Sequence, residues 1–402
     1  MGQNTNGRRS LFSLLRIPTR LFSLTFVVLI GAASALADTQ GLIYAGAAFQ
    51  GDYAQRAERT PYAVALFGEA KDSGQSQIDA QLQALLAANY TGDRPLLDSA
   101  VSVGSSSGLA LSFAVAGESV ESLRYGDQHL YVYRALASVL LFNFERKVLV
   151  ANYPVMVQFQ DLTAEPRNDE AHEAVFRDIY LGTGERSLLT AWVERLNRVT
   201  VQETLPAYLA LGSLTLEDPL KAALPEGVTE ARYLTETAQL FESLLADLTG
   251  VSFVPYSPGE AVGRVMPLAF QDARVFQLTL PEPNFVFDVT LEPFKHLEQK
   301  SRGTVKHAFG AFADIRFSLQ VTGFKKTFLE ARFRNINQLA FLEKDAVALD
   351  VWQSQQSTLR GLFVAFAKQL ETPDSKALKD LTKDEGVAAM LAATAEKLAQ
   401  CR

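Results

Sequence analysis

Three groups of side chains in this sequence have types and spacings that could carry chemistry. Gly104-Ser105-Ser106-Ser107-Gly108 fits the pattern Gly-x-Ser-x-Gly, which in hydrolases presents a serine hydroxyl on a sharp strand-to-helix turn. Ser106 is then the candidate nucleophile, with His307 as its base and Asp288 as the acid that orients the base. Against that reading, only one strand is expected before the motif. Leu109 to Val115 after it suits a strand as well as a helix, and serine-glycine runs are common flexible loops. The histidines form the second group: His129, His172, His296 and His307 have no His-x-x-x-His or His-Glu-x-x-His spacing, so no metal site is expected. His172, beside Glu170 and Glu173, reads as part of a solvated helix face. The third group is basic: Lys295, Lys300, Arg302 and Lys306 surround a glycine-containing turn. Such a cluster suits an acidic partner or a phosphate, or is simply an exposed hairpin loop. No phosphate loop, dinucleotide fingerprint or EF-hand occurs, so no cofactor is expected.

The N-terminus carries an address. Arg8, Arg9, Arg16 and Arg20 precede an apolar run from Leu21 that closes on Ala35-Leu36-Ala37 before Asp38. A basic start, an apolar middle and a small-residue end make a secretory signal peptide with cleavage between Ala37 and Asp38. An uncleaved anchor is the alternative, but the run is short for a span and ends in small residues. No cysteine stands near Ala37, so a lipid anchor at this site is excluded. The expected location is periplasmic or secreted.

Removing those four arginines from 38 basic residues leaves 34 against 45 acidic ones. An acidic body argues against nucleic-acid binding and against docking on anionic lipid heads. No later apolar stretch is long enough to span a bilayer. Cys401 is the only cysteine, so internal disulfides and cysteine-ligated zinc are excluded. A free tail thiol and a disulfide-linked dimer are the readings left for it.

These residues must be positioned by strands and helices in turn. Leu42 to Phe49, Leu130 to Phe144, Lys147 to Phe159, Val275 to Leu280, Asn284 to Leu291, Ala308 to Val321 and Thr327 to Phe333 read as strands. Pro154 places its strand at a sheet edge or a bulge. Glu145-Arg146-Lys147 reads as a hairpin turn. Helices are expected over Gln75 to Ala88, Glu170 to Tyr180, Ser187 to Val199, Thr229 to Leu248 and Leu359 to Leu370. Capping boxes predict two more, opened by Ser257-Pro258-Gly259-Glu260 and by Thr382-Lys383-Asp384-Glu385. The second of these leads into an alanine-rich, weakly packed tail. Tyr44, Phe49, Tyr53 and Tyr62 suit a binding surface or a core equally well.

Two stretches look alike. Phe113 to Leu123, Ala135 to Phe142 and Val148 to Ala151 run parallel to Phe287 to Leu297, Ala311 to Ser318 and Phe328 to Ala331. The expected fold class is α+β: two helix-backed antiparallel-sheet modules, an internal duplication if the likeness is real, after the signal peptide. The expected boundaries are 1–37 for the signal, 38–205 and 206–372 for the modules, and 373–402 for a helical tail. Asn284 to Leu291, the basic linker, Gly310 to Phe317 and Gly323 to Phe328 resemble the curli-secretion lipoprotein and penicillin-binding-protein-activator group. In that group a helix pair precedes a three-strand meander. The resemblance implies an accessory role in the bacterial envelope, although this chain lacks the lipobox cysteine. The sequence thus predicts an exported, non-enzymatic accessory or scaffold protein with an envelope protein as partner. A serine hydrolase using Ser106 and a periplasmic solute-binding protein are the alternatives. The oligomeric state is not encoded in any motif.

Overall fold

The computed structural model describes residues 41–51, 53–68, 76–97, 108–125, 128–184, 186–256, 265–270, 274–321, 323–342 and 349–402. Ala37 and Asp38, Ser106 with most of its glycine-serine loop, and the helix expected to open at Ser257 all lie outside them.

The chain begins with β1 (Leu42–Gln50), then helices α1 (Arg56–Arg59), α2 (Pro61–Gly68) and α3 (Gln77–Asn89), and a short β2 (Leu96–Leu97). A meander follows: β3 (Leu109–Tyr125), β4 (Gln128–Asn143) and β5 (Val148–Thr163), then α4 (Asp169–Leu181) and α5 (Leu188–Arg198). The same plan then recurs. β6 (Leu209–Leu216) leads through α6 (Asp218–Lys221) and α7 (Glu230–Thr249) to three short strands, β7 (Phe253–Val254), β8 (Val265–Phe270) and β9 (Val275–Thr279). Next come β10 (Phe285–Leu291), β11 (Lys295–Ser301), β12 (Thr304–Val321) and β13 (Phe324–Leu342), and then α8 (Val351–Glu371), α9 (Ser375–Leu381) and α10 (Val387–Leu398).

In each half a first strand pairs parallel with the next long one, β1 with β3 and β6 with β10; the short contacts β1–β2, β5–β9 and β6–β7 are also parallel, and the long meanders are antiparallel. The sheets are therefore mixed rather than purely antiparallel, because the helices between the first two long strands make the crossover that a parallel pair requires. The fold is α+β. The two look-alike stretches fall on matching strands: Phe113 on β3 and Phe287 on β10, Ala135 on β4 and Ala311 on β12.

The first sheet runs β2-β1-β3-β4-β5-β9-β8, and β8 pairs back onto β1, so the strands from β1 round to β8 close into a ring. Inside it pack Ala48, Ala110, Ala114, Leu140, Phe142, Leu149, Met266, Leu268, Phe270 and Leu278. Outside, α2 to α5 bury Leu66, Ile78, Leu82, Phe176 and Trp192 against Phe113, Tyr133 and Tyr153. Trp192 Nε1 donates to the Ser138 carbonyl at 2.8 Å. Tyr62 stacks on Phe176 at 4.2 Å and Phe49 meets Phe67 at 4.6 Å, so these two early aromatics serve the core. Glu118 caps α2 by accepting from the Tyr62 and Ala63 amides, and it also accepts from the Tyr180 hydroxyl. Pro154 sits where its missing N–H costs nothing. Two residues earlier on the same strand, the Asn152 amide turns away from β4 to donate to Ser252 Oγ.

The second sheet runs β11-β12-β10-β6-β7, with β13 along the other side of β12. One face buries Leu211, Phe287, Ile315, Phe317 and Phe333 under α7, α8, α9 and α10. Helix α7 serves both halves. Phe241 and Leu245 enter this second core, while Glu242 and Gln239 line a void of about 20 Å³ against Gln50, Leu136, Ser138, Asn152 and Pro154 of the first sheet. That is room for about one water molecule.

Three expectations are corrected. The 382–385 capping box opens no helix: α10 starts after Gly386, which has no side-chain cap, while α9 starts at a capping Asp374. The Thr382 hydroxyl instead donates to the Arg332 carbonyl, and Asp384 accepts from the Arg332 amide, so this segment binds the edge of β13. The terminal region is not weakly packed, since Leu391, Leu398 and Cys401 are buried in the second core. Burial pushes the Cys401 thiol up to about 12 and withdraws it from intermolecular disulfide exchange. The basic turn between His296 and His307 is not a loop but a strand hairpin, β11 with β12. Among the described residues, no helix is long and apolar enough to cross a membrane.

Candidate docking face

Helices cover one face of the second sheet. The other face is read from the alternation of β12, whose even-numbered residues from Thr304 to Arg316 point away from the core. At its inner end the Asp288 carboxylate accepts from Arg316 (Nη2 at 2.8 Å, Nε at 3.2 Å) and from Ser213 Oγ at 2.7 Å, with Lys325 Nζ at 4.0 Å. Gly212 allows this, because a Cβ there would stand 3.0 Å from Asp288 Oδ1. Farther out Arg332 pairs with Glu292. Phe312 lies between the Arg332 guanidinium, 5.0 Å from the ring centre, and Lys295 Nζ at 4.9 Å. Its edge closes over Gly310, where a Cβ would meet the ring at 2.9 Å. Asp314 between them is raised above the ordinary carboxylate range, first by burial and then by Glu292.

Beyond Phe312 the sheet narrows to a three-stranded arm of β11, β12 and β13. Cross-strand rows place Lys295 beside Gly310 and Ile336, Leu297 beside Ala308 and Gln338, and Gln299 beside Lys306 and Ala340. Leu297 is 72% exposed and Ile336 51%. This face of the arm thus carries large apolar side chains in water, flanked by cations.

The arm divides the predicted basic cluster. Lys295 and Lys306 share the outer face. Lys300 lies on the opposite face, 3.3 Å from Glu298, and Arg302 occupies the turn with a positive φ of 43°. His296 and His307 also lie on that opposite face, stacked with Phe309 and joined to each other, Nε2 to Nδ1, at 3.1 Å.

The hydrolase constellation does not assemble among the described residues. Asp288 faces outward opposite Arg316, whereas His307 lies nine residues along β12 from Arg316 and on the other face. At about 3.3 Å per residue the separation is roughly 30 Å. Nor do the described residues hold a group of three metal-ligating side chains. His172, expected on a solvated helix face, accepts or donates at Nδ1 with the Tyr133 hydroxyl at 2.9 Å, and Arg167 also bonds that hydroxyl. Burial, then Arg167, lowers the His172 pKa. This cluster fixes the start of α4 on the sheet and includes no nucleophile.

Sequence reasoning found Lys295 and Lys306 but missed Leu297, Phe312 and Ile336. The signal was present: alternation through Lys295-His296-Leu297 puts an apolar side chain and a cation on one face. Reading the segment as a turn concealed it.

Comparison with protein families and with curated proteins gives no match. Among solved structures, a minor lipoprotein from Acinetobacter baumannii aligns at 15% identity over 44% of this chain and 98% of its own, with a TM-score of 0.19. A score of that size does not establish a shared fold.

Proposed function

We propose that this chain is an exported, non-enzymatic accessory or scaffold protein of a bacterial cell envelope that binds a protein partner through the open face of its second sheet. The observation that carries the reading is the exposure of Leu297 and Ile336 on a face flanked by cations, where the described residues bring together no acid, base and nucleophile. Large apolar side chains held in water on one face of a folded sheet favour an interaction site. Export rests on the signal-like sequence before Asp38.

The test is chemical crosslinking in whole cells, followed by recovery of the tagged protein and mass spectrometry. One stoichiometric envelope partner and a mature N-terminus at Asp38 are expected. Recovery of the protein alone, or of an unprocessed cytoplasmic form, overturns the reading.

A further inference from the structure

Resting on that reading, we infer that the outer face of the β11–β13 arm is a trough for an acidic amphipathic α-helix of the partner. The shape comes from the cross-strand rows. On the central strand the residues are small, Gly310 and Ala308, while larger side chains stand on both flanks: Lys295 and Leu297 on β11, Ile336 and Gln338 on β13. Phe312 closes one end and Lys306 the other. The flanking strands are two strand spacings apart, roughly 10 Å, which is the width of an α-helix with its side chains. From Phe312 to Lys306 is six residues of strand, about 20 Å, or between three and four helical turns.

The charge fixes the partner's sign. The whole chain is acidic, 45 carboxylates against 38 basic residues, yet residues 295–310 carry four cations and one carboxylate. That carboxylate, Glu298, is spent on Lys300 on the opposite face. Among the described residues, the trough therefore shows Lys295 and Lys306, with Arg302 at its tip, and no acid. Lysines often guard exposed strand edges against aggregation, and Lys295 on the outermost strand fits that role. Lys306 does not, because β12 is the central strand of the arm. Nor does edge protection account for Leu297, 72% exposed on the same strand it would guard. A helix with carboxylates flanking an apolar stripe satisfies both sets of residues, in the manner of other helix-in-groove complexes. A flat anionic membrane fits a concave face poorly, and the acidic remainder of the chain repels it.

The probe is a fluorescein-labelled peptide of Leu and Glu set at helical amphipathic spacing. Its controls are a scrambled peptide of equal composition and vesicles containing phosphatidylglycerol. Anisotropy is expected to show binding of the helical peptide, weakened about tenfold in the Lys295→Glu/Lys306→Glu variant, kept in Lys295→Arg/Lys306→Arg, and reduced by salt. Leu297→Ser is expected to weaken it several-fold without changing the salt dependence. Equal binding of the scrambled peptide, binding to vesicles alone, no binding to wild type, or full binding by the charge-reversed variant each overturns the inference. Crosslinking in cells separates this failure from failure of the functional reading. A partner retained by the charge-reversed variant removes the trough and leaves the accessory role, whereas no partner for wild type removes the role itself.

Discussion

The two sheets share one strand plan and treat their second face in opposite ways. In the first, β8 and β9 curl round and bury the face that the helices leave free, and α7 covers the rest. In the second, among the described residues, nothing covers it beyond the Asp288 network. The strands record the difference. Ala135 to Phe142 of β4 is buried on both faces, whereas β12 alternates buried and partly exposed residues from Ala311 to Arg316. A strand covered on both sides reads as a continuous apolar run, and one facing water reads as alternation. The contrast teaches that a repeated topology need not repeat a surface: the second sheet keeps accessible what the first has sealed.

The sharpest way to break this comparison is to truncate a side chain on the sealed face. Phe142→Ala is expected to cost about 3–5 kcal/mol, the range for a large buried aromatic, read from chemical denaturation. A cost under 1 kcal/mol would mean that the ring of strands is not closed.

The next effect lies where α7 meets the first sheet. Burial pushes Glu242 up to about 8 from an ordinary 4.5. The folded state thus keeps a proton that the unfolded chain gives up, so stability falls as pH rises from about 4.5 to about 8 and levels off above. Glu242→Gln should remove this slope. The variant should match wild type near pH 4.5 and exceed it by several kcal/mol above pH 8, measured by urea titration at each pH. Glu118, held up to about 7, leaves a weaker slope of the same sign in both proteins. An unchanged pH profile would place Glu242 in contact with solvent.

Smaller effects belong to the open face. Arg332→Ala removes an exposed ion pair with Glu292 and should cost less than about 1 kcal/mol. Leu297→Ala should shift stability by no more than about 0.5 kcal/mol, because the folded chain alone gains little from it. A large loss in thermal melts at Leu297 would show that the arm is packed against something within this chain.

Much of this fold was legible in the sequence. Helical spacing in Leu188, Leu189, Trp192, Val193 and Leu196 gave α5, and the amphipathic run from Thr229 to Leu248, stopping at Gly250, gave α7, nearly to the residue. The hairpin at Glu145 to Lys147 formed without a glycine because Lys147 adopts a positive φ of 53° and Asn143 accepts from the Arg146 amide. Long-range partners were not legible. Nothing local tells Val265 to Phe270 to join β1 of the distant first half. The Thr382 and Asp384 side chains are good caps by type, but the edge of β13 claims them. For the site, the sequence yielded the charges but not their faces, since a strand hairpin sorts lysines by parity and a loop does not.

Helix α7 has a consequence for cooperativity. Ten of its residues are buried: the apolar ones lie in the second core, while Glu242 faces the void against the first sheet and Ser243 Oγ meets Met156 Sδ of β5. Neither half can melt and leave the other with an intact wall. The described protein should therefore absorb heat in a single calorimetric peak whose van't Hoff and calorimetric enthalpies agree. Two halves joined across this helix lose the freedom to melt apart.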